Sequence, residues 1–264
     1  MRFWKMSGAG NDFVLLTGGR RDALELKRLA SALCARKVSI GADGLLYVNR
    51  SGPGRVDVRY FNSDGSEAFC GNGSRCAAWW AFSSGLTGRK LLLRTLAGEL
   101  GAEITVPGAV RMRMPEVSGA RIGVRGRFPG GVRTLHFLDT GVPHAVVPVR
   151  SVADVDVERL GRQLRRHRFF GPAGANVNFV ERRGRRLLVR TYERGVEGET
   201  LACGTGLTAS AVAFALSDGL RSPVRLVSRS GDGFTVAFSA RAGGACAISI
   251  EGPARTVFQG EIKC

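Results

Sequence analysis

Two stretches of the chain decide its fold: residues 61–82, FNSDGSEAFCGNGSRCAAWWAF, and residues 192–214, YERGVEGETLACGTGLTASAVAF. Each runs from a strand-like segment through a Gly-rich turn into an apolar helix, and each carries Cys-Gly-x-Gly at the helix start, at Cys70 and Cys203. The helical segments 70–84 and 203–217 are apolar nearly all round, so each must be enclosed by a curved sheet. A thiol at a helix start sits where unpaired N–H groups and the helix dipole favour negative charge. Thiolate is stabilised there, and a carboxylate can dock on the adjacent amides of Gly71 and Asn72, or of Gly204 and Thr205. Two such thiols in an internally repeated chain suit the removal of a proton from one face of a carbon and the return of one to the other.

Short alternating or β-branched strands dominate the remainder, at 55–62, 90–95, 102–106, 110–114, 145–149, 176–181, 187–192, 234–238 and 245–250. Residues 24–33 and 157–165 read as amphipathic surface helices, and the Gly-rich stretches 126–131 and 243–244 as surface turns. The order repeats: strands, a short outer helix, strands, the Cys-Gly-x-Gly helix, more strands. This is an α+β chain of two pseudo-symmetric domains, each a curved, mostly antiparallel sheet wrapped round a central apolar helix. The expected domains are 1–117 and 118–251, with the final strand in 252–264 returning to the first.

With 264 residues and 44% hydrophobic content the chain can bury two cores. Its first thirteen residues lack the continuous apolar stretch of a secretion signal, and no run is long enough to cross a bilayer. The expectation is a cytoplasmic enzyme with no membrane partner. Six Cys without paired zinc spacings point to free thiols and no metal site; the terminal Cys264 is not where a prenylation motif requires it. Cys34, Cys76 and Cys246 read as core residues. The net charge of +17 invites a nucleic-acid reading, but the arginines are spread over nearly every surface stretch with no recognisable nucleic-acid module around them. Specific nucleic-acid binding is therefore not expected.

Glu193 and Arg194 stand just before the second Gly-rich turn. There a carboxylate can hold an α-ammonium and a guanidinium can bind a distal carboxylate bidentately, provided the backbone turns between them; the plainer reading is an exposed charged turn. His144, after Gly141, Val142 and Pro143, reads alone as a structural hydrogen-bonding residue, and His136 and His167 have no functional context. Asn11, Asn62 and Asn176 are polar residues in Gly-containing stretches, each also a plausible turn residue.

In this order, SGAGNDFVLL, IGADGLL, FNSDGSEAFCGNGSRC, TGVPHAVV, GANVNFV, TYERGVEGETLACGTG and VFQGEI cover nearly the whole chain. With these motifs the sequence resembles the diaminopimelate epimerase family, cofactor-independent amino-acid epimerases. The resemblance implies epimerisation of LL-diaminopimelate to the meso isomer, for lysine and cell-wall precursor synthesis, by a thiolate and a thiol at Cys70 and Cys203, in a homodimer. It places His144 by the substrate amine, gives His144 and Glu193 catalytic parts, and puts Asn11, Asn62, Asn72, Asn176, Glu193 and Arg194 on the substrate. Two positions depart from the family pattern: Gly44 stands where many members have Gln, and Val142 where many have Asn. Three other readings compete with this one: a proline, hydroxyproline or histidine racemase with the same two thiols, a thiol–disulfide redox protein, and a nucleic-acid module. A racemase substrate has no second carboxylate for Arg194, a redox protein would place both thiols in one C-x-x-C turn, and the charge pattern disfavours the last.

Overall fold

The computed structural model describes residues 1–263; Cys264 lies outside the described residues. The chain divides into two units, Met1–Met112 with Gly252–Cys264, and Arg113–Glu251. In the first, β1 (Arg2–Gly8), β2 (Asn11–Leu16), α1 (Ala23–Leu33), β3 (Gly44–Gly52), β4 (Arg55–Asn62), β5 (Glu67–Ala68), α2 (Gly71–Ser83), β6 (Lys90–Thr95), β7 (Gly98–Val106) and β8 (Ala109–Arg113) follow one another. The second holds β9 (Ser118–Arg125), β10 (Thr134–Asp139), β11 (Pro143–Pro148), α3 (Val157–Arg165), β12 (Asn176–Arg183), β13 (Arg186–Glu193), β14 (Gly198–Thr200), α4 (Gly204–Asp218), β15 (Val224–Val227), β16 (Gly233–Arg241) and β17 (Gly244–Pro253). The last strand, β18 (Arg255–Glu261), pairs antiparallel with β1.

The two units use one plan. In the first, β2 runs parallel to β3 and β4 to β6, the other described ladders being antiparallel. In the second, β11 runs parallel to β12 and β13 to β15, again among antiparallel neighbours. A parallel pair needs a crossover, and α1, α2, α3 and α4 are those crossovers. The amphipathic helix α1 starts at an Asp22 cap that accepts from the Glu25 N–H at 2.8 Å and buries Leu26, Ala30 and Leu33 against Val14, Leu16, Leu45 and Phe61. Helix α3 begins likewise at Asp156 and sets Val157 and Leu164 against Val177, Phe179 and Tyr192.

Helices α2 and α4 lie inside their sheets. Helix α2 packs on β1, β2, β3, β4, β6, β7 and β18, while α4 packs on β9 to β13, β15 and β16. Each large apolar side chain so enclosed contributes roughly 1.5–3 kcal/mol. Inside α4, Thr208 and Ser210 return their hydroxyls to the carbonyls of Gly204 and Gly206, which is how polar residues sit in a helix with no wet face.

The structure adds strands that alternation does not reveal. In β2 and β3 the runs Phe13–Leu16 and Leu45–Val48 are continuously buried, so no polar face marks them. Strand β9 alternates only between half-buried and exposed residues, Gly and Arg among them, and β10 and β15 are short. Residues 113–117, expected in the first domain, belong with the second unit: the Met114 N–H donates to Ile248 and Val117 bridges to Ala245. Cys34 and Cys76 are buried, whereas Cys246 is a correction to the sequence reading. It is only half-buried on β17, where the register with β16 shifts and the next residue, Ala247, has φ 51°. Among the described residues no helix is long and apolar enough to cross a membrane.

Gly161 shows how closely α3 lies on β13. A Cβ there would fall 2.6 Å from Cγ of Tyr192. Replacing a helical Gly with Ala should by propensity stabilise by up to about 1 kcal/mol. Overpacking costs about 1–3 kcal/mol and wins. Gly161→Ala should therefore lower the urea midpoint; a raised midpoint would show that α3 can lift off β13 freely.

Candidate active site

In the first unit the site grows from the start of α2. Cys70 is the N-cap, extended at φ −137° and ψ 112°, and its Sγ accepts from the Gly73 N–H at 3.4 Å. Its carbonyl takes both the N–H and the hydroxyl of Ser74, at 2.8 and 2.9 Å. The thiol is half-buried, and a Cβ on Gly71 would meet nothing within 4 Å, so the turn beside it is open.

A chain of polar side chains runs back from this turn. Arg75, 2% exposed inside the otherwise apolar α2, donates Nη2 to Oδ1 of Asn72 at 2.7 Å. Asn72 donates Nδ2 to Oδ1 of Asn11 at 2.6 Å, and Asn11 donates Nδ2 to Oδ2 of Asp43 at 2.9 Å. A guanidinium only donates and a carboxylate only accepts, so the two ends fix which way both amides point. Arg36 and Lys5 close the acidic end, Arg36 on Asp12 and Asp43 at 2.6 and 2.8 Å, Lys5 on Asp12 at 2.7 Å. Asn62 stands apart from this chain. It accepts the Tyr60 hydroxyl at 2.9 Å and donates to Oγ of Ser66 at 2.9 Å, within its own turn.

In the second unit Cys203 caps α4, again extended, but buried at 8% exposure. Its Sγ lies 3.3 Å from the Thr205 hydroxyl. Burial, then the Glu193 charge, pushes the thiol up to about 12, against hydrogen bonds from Thr205 and the Gly206 amide. This corrects the expectation that the helix start alone favours thiolate: at Cys203 desolvation outweighs the dipole. Burial raises the Glu193 carboxyl above its ordinary range, and its hydrogen bonds to Thr200 and Cys203 work the other way.

Strand β13 ends at Glu193, and Gly195 with φ 94° turns the chain, so Glu193 and Arg194 are freed from strict strand alternation. The Arg194 N–H donates to Oδ1 of Asn176 at 2.8 Å, and its half-buried guanidinium has no acidic partner among the described residues. His144 is fully buried between Asn176 and Asn178, and burial with the Arg194 charge pushes its pKa down to about 3. Cys203, Glu193, Thr205, His144, Asn176 and Arg194 thus belong to the second unit, and Cys70, Asn72 and Asn11 to the first. No three His, Cys, Asp or Glu side chains among the described residues converge as a metal site would need.

Sequence reading passed over Arg75, Asp43, Tyr60 and Asn178. A lone cation inside an apolar helix was the available signal for Arg75. For Asn178 it was the two-residue spacing from Asn176 on one strand.

A family model described as diaminopimelate epimerase matches residues 3–119 and 136–254. The diaminopimelate epimerase of Aquifex aeolicus (strain VF5) is 43% identical over 258 residues, which span 90% of each chain. Among solved structures, a PhzF-family phenazine biosynthesis protein of Bacillus anthracis superposes at TM-score 0.77 and 16% identity, over 100% of this chain and 99% of that one. A probable proline racemase from Agrobacterium radiobacter K84 superposes at TM-score 0.71 and 18% identity, over 99% and 92%. At such identities these two speak for the fold alone.

Position 44 has no room for a side chain. A Cβ there would fall 2.5 Å from the Phe61 carbonyl oxygen and 2.8 Å from Cζ of Tyr60. Tyr60 packs edge-on against Phe13, centroids 5.8 Å apart, so its ring cannot simply swing away. Gly44→Gln should therefore lose about 1–3 kcal/mol of stability by overpacking, and the Michaelis constant for an amino-acid substrate should not improve. Urea unfolding and steady-state kinetics check both, and a tighter-binding, equally stable variant would show that the pocket accepts the longer side chain.

Proposed function

Because the chain belongs to the diaminopimelate epimerase family, we propose that it interconverts LL- and meso-diaminopimelate without a cofactor, using Cys70 and Cys203 as the two proton carriers. The observation that carries this reading is the matched placement of the two cysteines as extended N-caps of the two enclosed helices. An α-proton is weakly acidic, and its removal demands strong stabilisation of the carbanion. First-turn amides at Gly71 and Asn72, and at Gly204 and Thr205, are the donors for the substrate α-carboxylate, onto which the carbanion charge spreads.

In one direction the Cys70 thiolate takes the α-proton and the Cys203 thiol gives its proton to the opposite face. Cys203, pushed up to about 12, is suited to enter protonated, and Cys70, which receives the Gly73 N–H and remains half-buried, to enter as thiolate. That step leaves Cys203 as thiolate and Cys70 as thiol, the pair that runs the reverse direction, and Glu193, hydrogen-bonded to the Cys203 thiol, orients the proton it carries. Arg194 holds the distal carboxylate with its planar fork. Asn11, Asn72 and Asn176 hold the polar groups of the substrate, Asn62 supports the turn before Cys70, and His144 lies beside Asn176. The product serves lysine and cell-wall precursor synthesis. The protein works in the cytoplasm, consistent with five free thiols among the described residues, and as a homodimer, consistent with the exposed Val257 and Phe258 on β18.

Reduced protein without pyridoxal phosphate should interconvert the two isomers and exchange the α-proton in deuterated water. A requirement for that cofactor, or preference for proline, would overturn the reading. Cys70→Ser and Cys203→Ser should each lower kcat by at least ~100-fold, the scale of losing a positioned acid or base. Mild oxidation should join the two sulfurs in a disulfide that dithiothreitol reverses, as peptide mapping would report. Arg194→Lys should raise the Michaelis constant by about 10-fold or more, corresponding to loss of a charge-assisted bond of about 1.5–3 kcal/mol. An unchanged constant would place Arg194 off the substrate.

A further inference from the structure

Strand alternation puts Asn176 and Asn178 on one face of β12, and the parallel register pairs Asn176 with His144 on β11. The two amides hold the imidazole from its two ends, and each amide has a fixed sense. For Asn178, Nδ2 lies 3.1 Å from the Ala145 carbonyl, which can only accept, and Oδ1 takes the Thr191 hydroxyl at 3.0 Å. Reversing that amide would set oxygen against oxygen. Its second N–H is therefore the one that meets Nδ1 of His144, 3.0 Å away. Nδ1 accepts, so the single ring proton of the neutral histidine sits on Nε2.

At the other end, Oδ1 of Asn176 is committed to the Arg194 N–H, and its Nδ2 faces the Pro143 carbonyl at 3.4 Å and His144 Nε2 at 3.5 Å. Two donors thus meet at 3.5 Å, and among the described residues His144 Nε2 has no acceptor. A carboxylate oxygen satisfies both.

We propose that Asn178 is a positioning residue that holds His144 as the neutral Nε2–H tautomer, so that His144 acts as a hydrogen-bond donor to a substrate carboxylate oxygen and not as a proton acceptor. The tautomer follows from this packing alone; the donor role rests on the diaminopimelate reading above and replaces the expected contact with the substrate amine, since an N–H cannot accept from an ammonium. Arg194 is the charged group that bears on the ring, and with full burial it opposes protonation further, in line with the low pKa. Asn178 also touches the helix that carries Cys203: a Cβ on Gly206, in the first turn of α4, would collide with Asn178 Oδ1. One amide therefore sets the imidazole and seats the helix start together.

The test is nitrogen NMR on the full chain labelled with [15N]histidine, the three histidines being separated with a His144→Asn variant. Between pH 5 and 8 the His144 signals should show a bare Nδ1, a protonated Nε2 and no titration. Titration in that range, or a protonated Nδ1, overturns the proposal, and this measurement needs no variant of Asn178 to fold. Asn178→Asp replaces a donor at Nδ1 with an acceptor. The ring should then carry a proton on Nδ1 or become charged, and kcat/KM at pH 7 should fall at least ~10-fold with a new limb in its pH profile. An unchanged His144 spectrum in that variant overturns the positioning role. Adding diaminopimelate to the wild type should shift the Nε2 signal, and no shift overturns the donor role. A shift without turnover supports the donor role and counts instead against the epimerase reading.

Discussion

A helix enclosed by sheet on every side must still satisfy the N–H groups of its first turn, and this requirement organises both halves of the chain. Helices α2 and α4 are buried over most of their length, and solvent reaches their first residues only partly. Each begins at an extended cysteine beside a glycine, where the chain emerges from the strands and the backbone is open on one side. First-turn amides at a helix start favour an anion, and the chemistry proposed for the protein is placed at these two helix starts.

The two halves share a plan but not an electrostatic setting. Around Cys70 the groups beneath the turn are a buried guanidinium and two amides whose direction it fixes. Around Cys203 they are a desolvated carboxyl and a neutral imidazole. A two-proton mechanism needs one sulfur charged and the other protonated at the same moment, and identical halves would not distinguish them. The difference lies in side chains that support the two turns, while the backbone plan stays common.

The repeated Cys-Gly-x-Gly turns and the apolar helices after them were legible in the sequence, because a helix without a polar face leaves few architectures. Helix α3 could be read to the residue from its amphipathic spacing. Strands β2 and β3 could not, since continuous burial removes the alternation that marks a strand. Among site residues, the thiols and the Glu193–Arg194 pair stood out by type and place. Arg75 and Asn178 did not: each acts on another polar side chain, and only the fold brings Asn178 to an imidazole 34 positions away or sets the amide beneath Arg75 against Asn11. Which sulfur holds its proton more firmly was not legible for a related reason, as the depth of burial is invisible in a motif.

The glycine at position 44 also bears on how this sequence can change over generations. A side chain there meets a tyrosine ring, which substitution can shrink, and a main-chain carbonyl, which no substitution can remove. The first obstacle makes positions 44 and 60 dependent on each other. The second makes the dependence one-way, because a larger residue at 44 requires β3 and β4 to move apart before it can be tolerated. Once Tyr60 and this strand spacing are in place, glycine is entrenched at position 44, and any change there must wait on changes in its neighbours.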